Sequence, residues 1–475
     1  MTTIHQLSDG SDPMPPPGCP AHGMGSGQDV SRLRRLYGPE IEADPTQMYE
    51  ELRREHGPVA PILLHGDIPA WVVLGHRENL EVMRTPSLFS RDSRRWSAFR
   101  EGKIGPDSPL MPMVGWQPLC VFADGDEHTR LRQAVIDGLD QFDRHGVRRY
   151  VTRYTDQLVD AFAATGRADL VHDYAEQLPM LVMTQLLGMP SAGDGPDLVE
   201  PTLDLMRGSE TALASNDVVT KTLRDLVQRK KAKPGRDLAS RLIAHESQLT
   251  DDEIVEHLRL VLVAAHEGTV NLIANTLRLV LTDPRFRASL SGGQMTLPDA
   301  LEQVMWDTPP IAMVPGRWAT GDTVIGGQQI KEGDLLVLGL APGNTDPAIR
   351  PDLSAPVHGN RSHLAFSSGP HECPGKDIGR AIADTGIDRL LTLLKGVQLA
   401  VPEDELTTDG AWLTRRVANL PVQFTPWRTD EDGAVTTTPA VSQPLPATAP
   451  LSAGPAGSTA EPARRPWWKS LVFWR

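Results

Sequence analysis

The residue types able to do chemistry gather most densely in 364–394, LAFSSGPHECPGKDIGRAIADTGIDRLLTLL. One cysteine, Cys373, stands where a loop punctuated by glycine and proline gives way to an amphipathic stretch. Gly369 lies four residues before it and Gly375 two after. Glycine lets the backbone take positive φ and lets a flat ligand approach closely. Beyond Gly375 the apolar positions Ile378, Ala381, Ile382, Ile387, Leu390, Leu391 and Leu394 roughly follow the helical period, which sets Cys373 near a helix N-terminus. Orphan amides and the positive dipole end favour thiolate over thiol there. Such a sulfur can be a nucleophile, a metal ligand or a buried thiol. Zinc needs about four ligands, and the three cysteines Cys19, Cys120 and Cys373 have no paired spacing. An axial thiolate to a haem iron needs only one cysteine and the close approach that glycines give.

Two other stretches carry polar groups at telling positions. In GDEHTRLRQAVIDGL, 125–139, His128 and Arg132 are spaced i, i+4 and share one helix face. In isolation that pair reads as a solvated charged face; both side chains also suit an anionic carboxylate as donors. In LVAAHEGT, 262–269, Ala264 and Ala265 leave room for something bulky, and Glu267 is charged inside an apolar span. The bland reading there is a close helix crossing with an exposed glutamate.

The pattern Phe366-x-x-Gly369-x-His371-x-Cys373-x-Gly375 resembles the haem-thiolate loop of the cytochrome P450 family, with Ser367 where that family carries its first glycine. The likeness covers about 30–428 and implies a mainly α fold with a small β region. It implies haem b held by the Cys373 thiolate, with Phe366 and Gly375 among the cofactor-binding residues. His128 and Arg132 correspond to a pair that grips a propionate. Arg317, in Arg317-Trp318-Ala319, and His363, before the cysteine loop, correspond to two more propionate ligands. On the long helix Ala264, Ala265, His266 and Glu267 fit the oxygen-activating motif and Thr269 matches its second hydroxyl, but Gly268 replaces the first threonine. Glu267, with Thr269 or water, is the implied proton relay.

A larger departure lies in ALEQVMWDTPP, 300–310, where Gln303 and Trp306 occupy the Glu-x-x-Arg positions and His358 stands for the arginine of the later meander. The chain is similar here to a divergent actinobacterial subgroup lacking Glu-x-x-Arg. A neutral brace of the cysteine loop is expected in its place. The activity implied is monooxygenation of a small hydrophobic substrate, in secondary metabolism, with electrons from a ferredoxin and a ferredoxin reductase. A haem-binding sensor or scaffold and a peroxide-driven oxygenase are the competing readings.

These residues need elements to position them. A helix is expected over 44–56, a strand over 70–74, and an irregular stretch over 93–122. A helix follows over 125–139, then largely helical chain over 140–245. Thr250-Asp251-Asp252-Glu253 is a capping box that opens a helix running to about Thr282, where Asp283-Pro284 stops it. Strands are expected over 323–330 and 334–340, turning at Glu332-Gly333. The chain of 475 residues, 40% hydrophobic, can bury a sizeable core, and its net charge of −14 argues against nucleic-acid binding. No run of 18 apolar residues appears, and the N-terminal stretch lacks an apolar signal core, so a cytoplasmic location is expected. The expected organisation is a flexible leader (1–28), a haem domain (29–428), a disordered linker rich in Pro, Ala, Ser and Thr (429–463) and a basic-aromatic segment (464–475) for docking to a membrane surface or a protein.

Overall fold

The computed structural model describes residues 33–105, 108, 110–189, 198, 201, 212–284, 286, 296–357, 359–409, 412–429 and 435–437. The leader 1–28, most of the linker and the whole of 464–475 lie outside the described residues. Nine helices matter for the site: α1 (Pro45–His56), α2 (His76–Arg84), α3 (Gly125–Asp140), α4 (Arg144–Phe162), α5 (Gln177–Leu187), α6 (Ala212–Ala232), α7 (Asp251–Thr282), α8 (Leu297–Asp307) and α9 (Lys376–Leu393).

Local chemistry sets their ends. Asp44 caps α1 by accepting from the Gln47 amide at 3.0 Å, and Pro45 takes the first turn, where no N–H is needed. The expected capping box forms: the Glu253 amide donates to Thr250 Oγ1 at 3.2 Å while Glu253 Oε2 accepts from the Thr250 amide at 2.8 Å. The 32-residue α7 that follows is about 48 Å long. Its length and composition would suffice to cross a membrane, but 67% of its most apolar window is buried inside the protein. It is the core helix, and α3, α4, α5, α6 and α9 share its main apolar cluster. The period-based reading of 140–245 missed one feature. Leu170–Ala175 is a π-helical turn, an irregularity that no apolar spacing announces.

The main sheet has β1 (Arg34–Arg35), β2 (Val59–Leu64), β3 (Ile68–Val73), β4 (Phe89–Ser90), β5 (Met313–Ala319) and β6 (Leu335–Gly339), in the order β1-β2-β3-β6-β5-β4. β3 runs antiparallel to β2, with Ala70 opposite Ile62, and parallel to β6, with Trp71 opposite Leu336. The expected strand 323–330 is instead a hairpin of its own, Thr323–Ile325 with Gln328–Ile330. Gly326 and Gly327, at φ of 56° and 82°, supply the two left-handed residues of such a turn. Two short strands follow the last helix, β7 (Thr408–Asp409) and β8 (Arg416–Val417), paired antiparallel. Order also continues past the expected boundary at 428, because Trp427–Thr429 pairs with Val435–Thr437.

Candidate functional site

The cysteine loop is built as a sharp return. Gly369–His371 is a 3-10 turn, and the Cys373 amide donates to Phe366 O at 2.8 Å. Gly369 takes φ 71°, and a Cβ there would lie 2.7 Å from the carbonyl oxygen of Met83 at the end of α2. Gly375 has a negative φ, and a Cβ on it would meet nothing within 4 Å. Its use is space above the loop, not a special backbone angle. The second left-handed residue is Ser367, at φ 61°. The expectation that a helix N-terminus favours the Cys373 thiolate does not hold for the protein by itself. Burial pushes the thiol up, outweighing the Gly375 amide and the Arg132 cation that pull it down.

Beside this loop sits a cluster of cationic and neutral donors with too few acceptors. Arg317, on β5, is 3% exposed, and its Nε and Nη1 have no partner among the described residues. Burial and the neighbouring Arg91 lower its pKa. Arg91 spends its guanidinium on the carbonyls of Val121, Pro315 and Gly316 at 2.6–2.9 Å. His128, on α3, is buried with Nε2 unpartnered, and burial together with Arg132 pushes its pKa down to about 4. His371 packs on it with ring centroids 4.1 Å apart. Burial pushes His371 down to about 3, with Arg317, Arg91 and His128 adding to the effect against Asp124. Arg132 donates to the backbone oxygen of Glu372. Asp124 is the nearby acid: burial works to raise its pKa, but His371, Ser90 and the Arg91 amide hold it down to about 2. One carboxylate among two buried arginines and two histidines leaves a place for further anionic oxygens.

Of the residues expected to share this task, His128, Arg132 and Arg317 come together, and His363 does not. His363 Nε2 lies 3.2 Å from Glu302 Oε2 and 3.1 Å from Arg380 Nη2, and its Nδ1 accepts from the Ala365 amide at 3.2 Å. Both ring nitrogens are therefore engaged away from the cluster. His371, which the sequence reading treated only as a motif letter, stands there instead. Its place two residues before Cys373 was the available signal. Phe366 lies under the Arg380 guanidinium, 5.1 Å from Cζ to the ring centroid.

On α7, Ala264 is exposed although it lies mid-helix, and a Cβ on Gly268 would meet nothing within 4 Å. Thr269 is buried and leans on α9, its Oγ1 3.8 Å from where a Gly379 Cβ would be. Glu267 faces elsewhere. Its Oε1 accepts from Asn271 Nδ2 at 3.1 Å and from Arg416 Nη1 at 3.4 Å. Arg416, on β8, also meets Glu176 Oε1 at 3.0 Å, and Glu176 Oε2 lies 3.0 Å from Nδ1 of the exposed His172 in the π turn. Neither Arg416 nor Glu176 was found by sequence, since 149 residues separate Arg416 from Glu267.

The neutral side chains expected to brace the loop, Gln303 and Trp306, stand beside charged groups. Gln303 Nε2 donates to Asp307 Oδ2 at 2.6 Å and Trp306 Nε1 to Asn360 O at 2.7 Å, but charge is present. Arg350 pairs with Asp307 Oδ1 at 2.8 Å and lies over the Trp306 ring at 5.3 Å. His358 lies outside the described residues.

No protein-family model matches the chain. Cytochrome P450-SU2 of Streptomyces griseolus is 30% identical over 393 residues, covering 81% of this chain and 95% of that protein. The 2-hydroxy-5-methyl-1-naphthoate 7-hydroxylase of Streptomyces carzinostaticus is 29% identical over 382 residues, 78% of this chain and 93% of the relative. Among solved structures, testerone-bound CYP154C4 from Streptomyces sp. ATCC 11861 matches with a TM-score of 0.73 at 28% identity, over 82% of this chain and 98% of that one. Such proteins bind haem with a cysteine thiolate as axial ligand. The residues present here fit that group: a cysteine on a loop with open space at Gly375, beside unpartnered buried donors suited to two carboxylates. With this site and a likeness that runs nearly the full length of its relatives, the chain belongs to the cytochrome P450 family of haem-dependent monooxygenases.

Proposed function

We propose that this protein hydroxylates a small, mainly hydrophobic organic substrate, RH + O₂ + 2e⁻ + 2H⁺ giving ROH + H₂O, with electrons from a ferredoxin and its reductase. The observation that carries the reading is Cys373 on its loop beside His371, His128 and Arg317, the last two with buried nitrogens that lack partners among the described residues. Cys373 would hold the haem iron through its thiolate, and the bound haem would supply the activation of dioxygen. His128, Arg132, Arg317 and His371 would hold the propionates by charge-assisted hydrogen bonds. Gly375, with open space beside it, and Phe366 would help to hold the haem on the loop side. Glu267, with Thr269 or water, would relay protons, and Arg416 Nη1 and Asn271 Nδ2 hold its carboxylate beside β8. A hydroxylase from Streptomyces among the relatives supports a place in secondary metabolism, and the bacterial relatives support a cytoplasmic location. The segment 464–475 is a docking element on its sequence alone.

The test is the reduced carbonmonoxy spectrum. Wild type shows the thiolate-type band, and Cys373→Ala does not; a variant that kept the band would remove Cys373 from the role. Gly268 favours one second reading, since it offers no hydroxyl where the family has one. A peroxide-driven oxygenase would accept hydrogen peroxide in place of O₂ and electrons. Counting electrons against product in single turnover separates the two, because near-complete leakage to peroxide across substrates supports the peroxide route or a non-catalytic haem sensor.

A further inference from the structure

We propose that Glu302 is the positioning residue of the Cys373 loop, gripping it on both sides of the sulfur; this rests on Cys373 being the haem ligand. Glu302 lies on α8, one residue before Gln303, and is 3% exposed. A carboxylate buried that deeply must be fully compensated. Its partners come from the two arms of one loop. His363, ten residues before Cys373, places Nε2 3.2 Å from Oε2. Arg380, seven residues after Cys373 and on α9, directs Nη1 to Oε1 and Nη2 to Oε2, the latter at 3.3 Å. Arg361 adds Nε at 3.2 Å from the solvent side.

The two arms are also tied to each other. Arg380 Nη2 lies 3.1 Å from His363 Nε2, and its guanidinium covers the Phe366 ring. The carbonyl of that same Phe366 accepts the Cys373 amide. A chain of contacts therefore runs from a rigid helix, through one carboxylate, to the residue that hydrogen-bonds the ligand's own backbone. α8 supplies the rigidity: Thr296 and Asp299 cap it reciprocally, and Asn344 Nδ2 donates to Met305 O at 2.9 Å near its other end. Asp307, the other acid of α8 that holds an arginine, makes its ion pair with Arg350, whose hydrogen bonds among the described residues go to Asp307 and Leu353 and to neither arm of the loop. The two carboxylates on one helix thus allow a controlled comparison.

The experiment uses haem-loaded protein. Glu302→Gln keeps the shape and one acceptor but removes the charge; Asp307→Asn is the control on the same helix. The readout is the conversion of the reduced carbonmonoxy complex from the thiolate-type to the thiol-type spectrum, with thermal unfolding followed in parallel. Glu302→Gln is expected to convert roughly tenfold faster than wild type, and Glu302→Asp to recover part of the difference. Asp307→Asn is expected to lower the unfolding midpoint while keeping the wild-type conversion rate. Should Glu302→Gln fail to take up haem, His363→Gln and Arg380→Lys weaken one arm at a time and are each expected to speed conversion. Wild-type conversion rates in all the arm and Glu302 variants would overturn the proposal. So would equal acceleration in Asp307→Asn, which would mean general destabilisation of α8. A thiolate-type band in Cys373→Ala would instead overturn the ligand reading on which it rests.

Discussion

Arg317 shows how one side chain can oppose the protein without its cofactor and support it afterwards. Its guanidinium has two nitrogens without a partner among the described residues, and burial together with the neighbouring Arg91 lowers its pKa. Leaving charged donors unsatisfied costs stability, and a carboxylate that meets them returns hydrogen bonds of about 1.5–3 kcal/mol each. Arg317→Met is therefore expected to change sign between the two forms. The haem-free variant should unfold at the same or higher urea concentration than haem-free wild type. The loaded variant should lose haem at least about tenfold more readily, the equivalent of ~1.4 kcal/mol. A haem-free variant that unfolds earlier would show that Arg317 has protein partners of its own. At this scale the sequence was legible in part. The motif letters around Cys373 placed the loop, and the i, i+4 spacing placed His128 and Arg132 on one face. Spacing does not say where a ring points. His363 and His371 are both histidines close ahead of the cysteine, and only the fold turns one toward Glu302 and the other toward His128. Likewise the loss of one loop glycine did not remove its backbone angle, because Ser367 adopts it.

Elements were more legible where their ends are chemical and less so where their meeting is tertiary. The capping box of α7, the helix α1 and the helix that starts after Gly375 could all be read directly. The strand order could not, because β3 and β6 pair across more than 260 residues. Nor could the junction at which the π turn, the core helix and β8 share Arg416. There one guanidinium serves Glu176 and Glu267, whose side chains are 4% and 26% exposed. Truncating one partner of a buried ion pair usually costs about 3–5 kcal/mol, because the remaining charge is stranded. Glu267 is partly open to solvent, which screens its share, so Arg416→Gln is expected to lose about 3 kcal/mol in urea unfolding. Arg416→Lys should recover a part, since it keeps the charge but not the two-pronged geometry. In the loaded enzyme Arg416→Gln should also raise the fraction of electrons lost to peroxide. A stability loss under ~0.5 kcal/mol, the range of an ordinary surface substitution, would mean that the two carboxylates are otherwise satisfied.

For the molecule as a whole, the mainly helical body with a small sheet is what the resemblance of the motifs implies, and the likeness to solved relatives agrees. The expected end of the body did not follow, because turn-rich composition hid the pairing of Trp427–Thr429 with Val435–Thr437. A truncation that tests the terminal segment must therefore leave 437 in place. The segment 464–475 contains Arg464, Arg465, Lys469 and Arg475 and no Asp or Glu, in a chain whose net charge is −14. Trp467, Trp468, Leu471, Val472, Phe473 and Trp474 add apolar surface. Basic residues near an anionic bilayer contribute about 1 kcal/mol each, and interfacial aromatic side chains add to that. Full-length protein is expected to co-sediment with vesicles of anionic lipid, less so as salt is raised. Protein ending at Thr437 should stay in the supernatant while keeping its haem spectrum and its unfolding midpoint. If both forms sediment alike, the segment is no membrane contact. If the shorter form loses haem, residues beyond 437 belong to the body and the boundary drawn here moves outward.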